Sequence, residues 1–101
     1  MAVTSQLSEE GKTLTISVSG RFDITSFKEF GDAYKGKLDS VSRCVVDMVE
    51  VEHLDSSALG QLLMLRERSG GENANIEIVN TSPGVKNILT MAKFDRLFKI
   101  E

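Results

Sequence analysis

The residues with the most chemical capacity stand together in the middle of the chain, in the segment His53-Leu54-Asp55-Ser56-Ser57-Ala58-Leu59-Gly60. A carboxylate followed by two hydroxyls, just before an apolar run, suits a helix start. The first amides of a helix have no internal acceptors, and the macrodipole places about half a positive charge there. Side-chain oxygens satisfy those amides, so one reading of Asp55-Ser56-Ser57 is a cap and nothing more. The other is a phosphorylation switch. A phosphate on one of the serines would add about −1.5 to −2 charges at pH 7, at the helix end that accepts anions. The helix would survive, and the altered surface beside Asp55 would repel a partner fitted to the neutral hydroxyl.

Competing chemistries have less support. His53, Asp55 and Ser56 are packed into four positions and lack a Gly-x-Ser-x-Gly elbow, so they do not read as the converging triad of an acyl-transfer enzyme. His53 is the one histidine and cannot build a multi-His metal site; it reads as a loop-surface polar residue. Asp47 sits where a receiver domain carries its phosphorylated Asp, but the Asp23 loop supplies one carboxylate and not the acidic pair such sites need. Gly70-Gly71 has no following Gly-Lys-Ser/Thr, so no phosphate loop is expected. Neither a nucleotide, another cofactor nor a metal is expected on this chain.

The elements that must position the Asp-Ser-Ser segment can be read from periodicity. Thr13-Leu14-Thr15-Ile16-Ser17-Val18-Ser19 alternates polar and apolar, a strand with one buried face. Val3 to Leu7 is a weaker strand, joined to it through Glu9-Glu10-Gly11-Lys12 as an antiparallel hairpin. Phe27, Phe30 and Tyr34 place three rings on one helical face, with Ser26 and Glu29 in capping-box spacing. Cys44-Val45-Val46-Asp47-Met48-Val49 reads as a central strand buried on both faces, where Cys44 packs as a small hydrophobe. A second helix follows, with apolar positions Ala58, Leu59, Leu62, Leu63 and Leu65, and stops at Gly70-Gly71. Gln61, Met64 and Arg68 fall on its outer side. Ile76-Glu77-Ile78-Val79 is a strand. Ser82-Pro83 caps a third helix whose buried face is Val85, Ile88, Leu89 and Ala92. Leu97 to Ile100 is a last short strand. The order β-β-α-β-α-β-α-β predicts an α/β fold, a mostly parallel sheet of four to five strands packed with helices. Its informative loops, Gly20 to Thr25 and Glu52 to Gly60, fall at the carboxyl ends of strands, where such sheets meet ligands and partners.

Composition narrows the class. The 101 residues make one domain, and 12 Lys+Arg against 15 Asp+Glu give a net charge of −3, which argues against a nucleic-acid binder. The single cysteine excludes an internal disulfide. No apolar run reaches the roughly 20 residues that span a bilayer, and the amino-terminal residues lack the pattern of a signal peptide. A cytoplasmic protein is expected.

With Gly20-Arg21-Phe22-Asp23 upstream and Ser82-Pro83-Gly84-Val85-Lys86 and Lys93-Phe94-Asp95-Arg96-Leu97-Phe98 downstream, the segment Leu54-Asp55-Ser56-Ser57-Ala58-Leu59-Gly60 resembles the anti-sigma factor antagonists, the bacterial STAS domains. The resemblance covers nearly the whole chain, so residues 1–101 are expected to form a single STAS domain. It implies that the unphosphorylated protein binds an anti-sigma factor and frees a sigma factor. A serine kinase, often the anti-sigma factor itself, phosphorylates the serine after the Asp and ends the binding. A metal-dependent serine phosphatase of the PP2C type restores it. By the same resemblance Ser56 is the phosphoacceptor, Asp55 orients it or contacts the kinase, and Ser57 is the neighbouring hydroxyl. Asp23 takes part in partner recognition from the adjacent loop. The outer side of the second helix, Gln61 and Met64 included, completes the binding face. A monomer that acts by binding and not as an enzyme is expected, with no nucleic acid or membrane as partner. Two departures stand out: Ala58 replaces the glycine of many relatives, and the chain ends at Glu101, where many carry a further helix. The alternative is a non-switching STAS subunit of a membrane transporter complex, in which the Asp-Ser-Ser corner only caps and docks.

Overall fold

The computed structural model describes residues 2–101. The alternating segment forms a hairpin: β1 (Ala2–Leu7) lies antiparallel to β2 (Thr13–Phe22), paired from Ala2↔Ser19 to Leu7↔Leu14. Gly11 turns the chain between them at φ +71°, a left-handed conformation that glycine adopts without strain.

Every later strand adds parallel to its predecessor. β3 (Arg43–Leu54) pairs with β2, β4 (Ile76–Val79) with β3, and β5 (Lys99–Ile100) with β4. The five-stranded order is β1-β2-β3-β4-β5. Because each right-handed crossover steps in the same direction, the three helices fall on one face of the sheet. These are α1 (Phe27–Tyr34), α2 (Ser56–Arg68) and α3 (Pro83–Met91). Leu14, Ile16, Cys44, Val46 and Ile78 of that face pack in one core with Phe30, Leu62, Leu65 and Leu89 of the helices.

The expectation of a β3 buried on both faces is therefore corrected. Its outer face lies toward solvent. Val45 is buried there between Thr15 and Glu77 in register, but Val49 is 62% exposed. Glu77 bridges Arg43 on β3 and Lys99 on β5, an ion-paired row that suits a wet surface. Register shifts against β2, after Asp47 and after Val51, turn the distal half of β3 so that Val51 and Leu54 return to the core.

The helix signals divide. Ser82 accepts the Val85 amide at 3.2 Å with Pro83 in the first turn, and α2 ends before Gly70 at φ +112°, both as expected. The capping box at Ser26 does not form: its hydroxyl donates to the Asp23 carbonyl, and Asp23 instead starts a short 3₁₀ turn ahead of α1. Of the three rings of α1, Phe30 and Tyr34 are buried, whereas Phe27 stands 48% exposed. Leu63 and Ala92 are exposed too, because α2 buries only a narrow stripe and α3 ends at Met91. The last strand is shorter than the apolar pattern suggested, since Phe94 to Arg96 form a 3₁₀ turn that stacks Phe94 on Phe98.

Cys44 is 2% exposed, and burial pushes its thiol up to about 12. The thiolate is the reactive form, and at pH 8 it amounts to roughly one part in ten thousand. Iodoacetamide should therefore leave the native protein unlabelled and modify Cys44 fully once urea unfolds the chain. Mass spectrometry reads both.

Candidate functional site

The register of two strands assembles the corner. Phe22 pairs with Leu54 at the ends of adjacent parallel β2 and β3. The next residues, Asp23 and Asp55, thus leave the carboxyl edge of the sheet side by side. Each begins a helical turn, and each caps its own. Asp23 accepts from the Thr25 amide at 3.0 Å and from the Thr25 hydroxyl at 2.5 Å, with Arg21 at 3.9 Å. The hydrogen bonds from Thr25, aided by Arg21, hold its carboxyl below the usual aspartate range, so it is charged at neutral pH. Asp55 Oδ1 accepts from the Ala58 amide at 3.2 Å, and α2 starts at Ser56.

The three residues of the Asp-Ser-Ser corner have separate tasks. Asp55 supplies the cap, not a serine. Ser57 Oγ is half-buried and accepts from Gln61 Nε2 at 3.2 Å. Ser56, the first helical residue, is exposed, and its hydroxyl has no hydrogen bond among the described residues. Replacing Asp55 by Ala should cost about 1 kcal/mol of stability, seen as a lower urea midpoint with an unchanged slope.

Gln61 departs from expectation. Its spacing from Met64 puts it on the outer side of α2, but it is 4% exposed. Its Nε2 donates at 2.8 Å to the Asp23 carbonyl as well as to Ser57. A carbonyl only accepts, which fixes the orientation of the amide. Gln61 thereby ties the Asp23 loop to the first turn of α2. Its Oε1 is buried with no partner among the described residues, a condition that typically costs about 1–3 kcal/mol. The spacing Ser57 to Gln61, one helical turn, was the sequence signal for this link; the partner loop gave none. Met64 and Arg68 do lie on the outer side, with Met64 39% exposed.

Asp47 Oδ1 accepts from the Val49 amide and from Asn80 Nδ2, both at 3.0 Å, bracing the irregular part of β3 against the end of β4. His53 is exposed at the end of β3. Ala58 is fully buried, so its methyl belongs to the core.

A family model described as Mlab, STAS domain, matches residues 5–100. The chain belongs to the STAS-domain family. A STAS-domain containing protein of Pseudomonas aeruginosa (strain UCBPP-PA14) is 48% identical over 100 residues, spanning 99% of each chain. Among solved structures, the anti-sigma factor antagonist SpoIIAA in its unphosphorylated form superposes with a TM-score of 0.76 at 15% identity, over 99% of this chain and 87% of that one. The phosphorylated form of the Bacillus SpoIIAA gives 0.75 at 14% identity, over 99% and 91%. At those identities the likeness is one of fold. In this STAS domain the two loops at the carboxyl edge are the ones that hold Asp23, Asp55 and the serines. No helix among the described residues is long and apolar enough to cross a membrane.

Proposed function

We propose that this STAS domain is an anti-sigma factor antagonist switched by phosphorylation at Ser56. Unphosphorylated, it binds an anti-sigma factor that doubles as a serine kinase and so releases a sigma factor. Phosphate on Ser56 ends the complex, and a metal-dependent serine phosphatase of the PP2C type restores it. The protein acts by binding and not by turnover, in the cytoplasm.

One observation supports this reading above the others. Of the polar side chains at the corner, Ser56 is exposed and unengaged, between a capping carboxylate and a hydroxyl bonded to Gln61. A phosphate placed there meets the free amides and positive end of a 13-residue helix. The helix stays formed while the phosphate adds about −1.5 to −2 charges beside Asp23 and Asp55, and the partner must face all of them. Asp23, Asp55, Ser57 and Met64 complete the binding face, with Gln61 beneath it holding the two loops together.

Incubation with ATP and the cognate kinase, followed by peptide mass spectrometry, tests the assignment. Phosphate is expected on Ser56 in the wild type and, unchanged in amount, in Ser57→Ala. Phosphate on Ser57 would overturn the assignment of the site. Lack of transfer by any kinase that binds the protein would favour the non-switching transporter subunit.

A further inference from the structure

Beside the corner, α1 and α2 leave a groove of about 560 Å³ between them. That volume lies within the roughly 300–1,000 Å³ of small-molecule sites. Its walls are apolar: Phe27, Phe30 and Tyr34 from α1 and Met64 from α2. Phe27 and Met64 are 48% and 39% exposed, large apolar surfaces that the fold leaves uncovered.

The polar groups of the groove are unequally satisfied. Lys28 is held by Asp32 at 2.8 Å. Lys35 and Arg68 also line it and make no salt bridge among the described residues. Asp39 is the other acid present, so the lining carries three cations against two carboxylates in a chain whose net charge is −3. Gln61 lines the groove as well; its Oε1, closed off from solvent, is an acceptor without a donor among the described residues, and a ligand's donor reaches it by parting the side chains above it. A ligand suited to these features has an apolar body for the rings, an anionic head for Arg68 and Lys35, and an N–H or O–H for Gln61 Oε1.

We propose that the α1–α2 groove is a binding site for a small amphipathic anion that carries a hydrogen-bond donor next to its acid group. The site differs from the phosphorylation corner in its chemistry but shares Gln61 with it, and its Met64 wall also belongs to the proposed partner face. Gln61 holds the Asp23 carbonyl and Ser57 through its amide nitrogen, so a ligand on the oxygen stiffens the same side chain that joins the two loops of the partner face. Occupancy therefore reports to the corner without touching Ser56.

N-decanoylglycine has all three features; decanoate lacks the N–H, and N-decanoylglycinamide lacks the charge. Each is titrated into the isotope-labelled protein below its micelle concentration and followed by amide chemical shifts. N-decanoylglycine is expected to saturate, with shifts confined to α1, α2 and the Asp23 loop. The other two ligands should bind several-fold more weakly. Arg68→Glu and Lys35→Glu replace exposed residues, so the fold is retained, and each should weaken N-decanoylglycine at least about tenfold. Equal affinity for the three ligands, or undiminished affinity in both variants, overturns the proposal. So does no saturation below about 1 mM, or a groove covered instead by a second copy, seen as a dimer in sedimentation.

Discussion

If the proposed switch holds, Ser56→Ala protein should take up no phosphate and stay bound to the anti-sigma partner, while Ser56→Asp should bind that partner at least about tenfold more weakly than the wild type. The expectation follows from position. Ser56 is exposed at the start of α2, beside the cap carboxylate of Asp55, and the ionised Asp23 leaves the neighbouring strand at the same level. A surface that admits a neutral hydroxyl must desolvate and face a third negative group when Asp replaces it. Tenfold is only about 1.4 kcal/mol, and uncompensated charge at an interface typically costs about 2–5 kcal/mol. The phosphorylated wild type, with about 1.5 to 2 times the charge of the Asp variant at that one position, should bind more weakly still. Raising the salt should narrow the difference, since the charges at the rim are screened. Helix content should be the same in all forms, because the added charge lies at the favourable end of α2. Calorimetric titration of the purified partner reads each affinity. Equal affinities for the phosphorylated and unphosphorylated proteins would contradict the switch.

The largest effect on stability is expected at Phe30. Its ring is 1% exposed, lies 5.0 Å from the ring of Phe22 and meets Tyr34 edge-on at 5.8 Å. Phe30→Ala should cost about 3–5 kcal/mol, a large share of the 5–15 kcal/mol typical of a domain. The melting temperature should fall by more than about 12 °C. Phe27→Ala, one turn earlier and half-exposed, should cost about 1 kcal/mol or less. Urea unfolding of the two variants tests the contrast, and equal losses would contradict the burial seen here. The pair also tests the groove, since Phe27 is one of its walls and is not part of the folded core.

That contrast shows where periodicity stops being informative. Phe27, Phe30 and Tyr34 share a helical face in the sequence, yet only the last two reach the sheet. The 3₁₀ turn begun by Asp23 sets the angle at which α1 arrives, and it is formed by hydrogen bonds that no spacing reveals. The apolar run at residues 44–49 failed in a similar way. Hydrophobicity on both sides of a strand suggested two covering layers, but the sheet order sends all three helices to one side. Val45 is then sheltered by neighbours in its own sheet, and Val49 is left in water.

Element order, the hairpin, the parallel sheet, the Ser82-Pro83 start of α3 and the place of the Asp-Ser-Ser segment between β3 and α2 were all legible in the chain. Those are local properties, written in alternation, in helical spacing and in the backbone preferences of glycine and proline. The chain also brought the family resemblance into view. Which oxygen caps α2, which serine is left exposed and where Gln61 goes depend on the folded arrangement. The pairing of Phe22 with Leu54 sets Asp23 beside Asp55 across 32 residues of chain, and Gln61 bonds a carbonyl 38 residues away. A hydroxyl's availability depends on what its neighbours have already bonded, and those bonds form only when distant strands are brought into register.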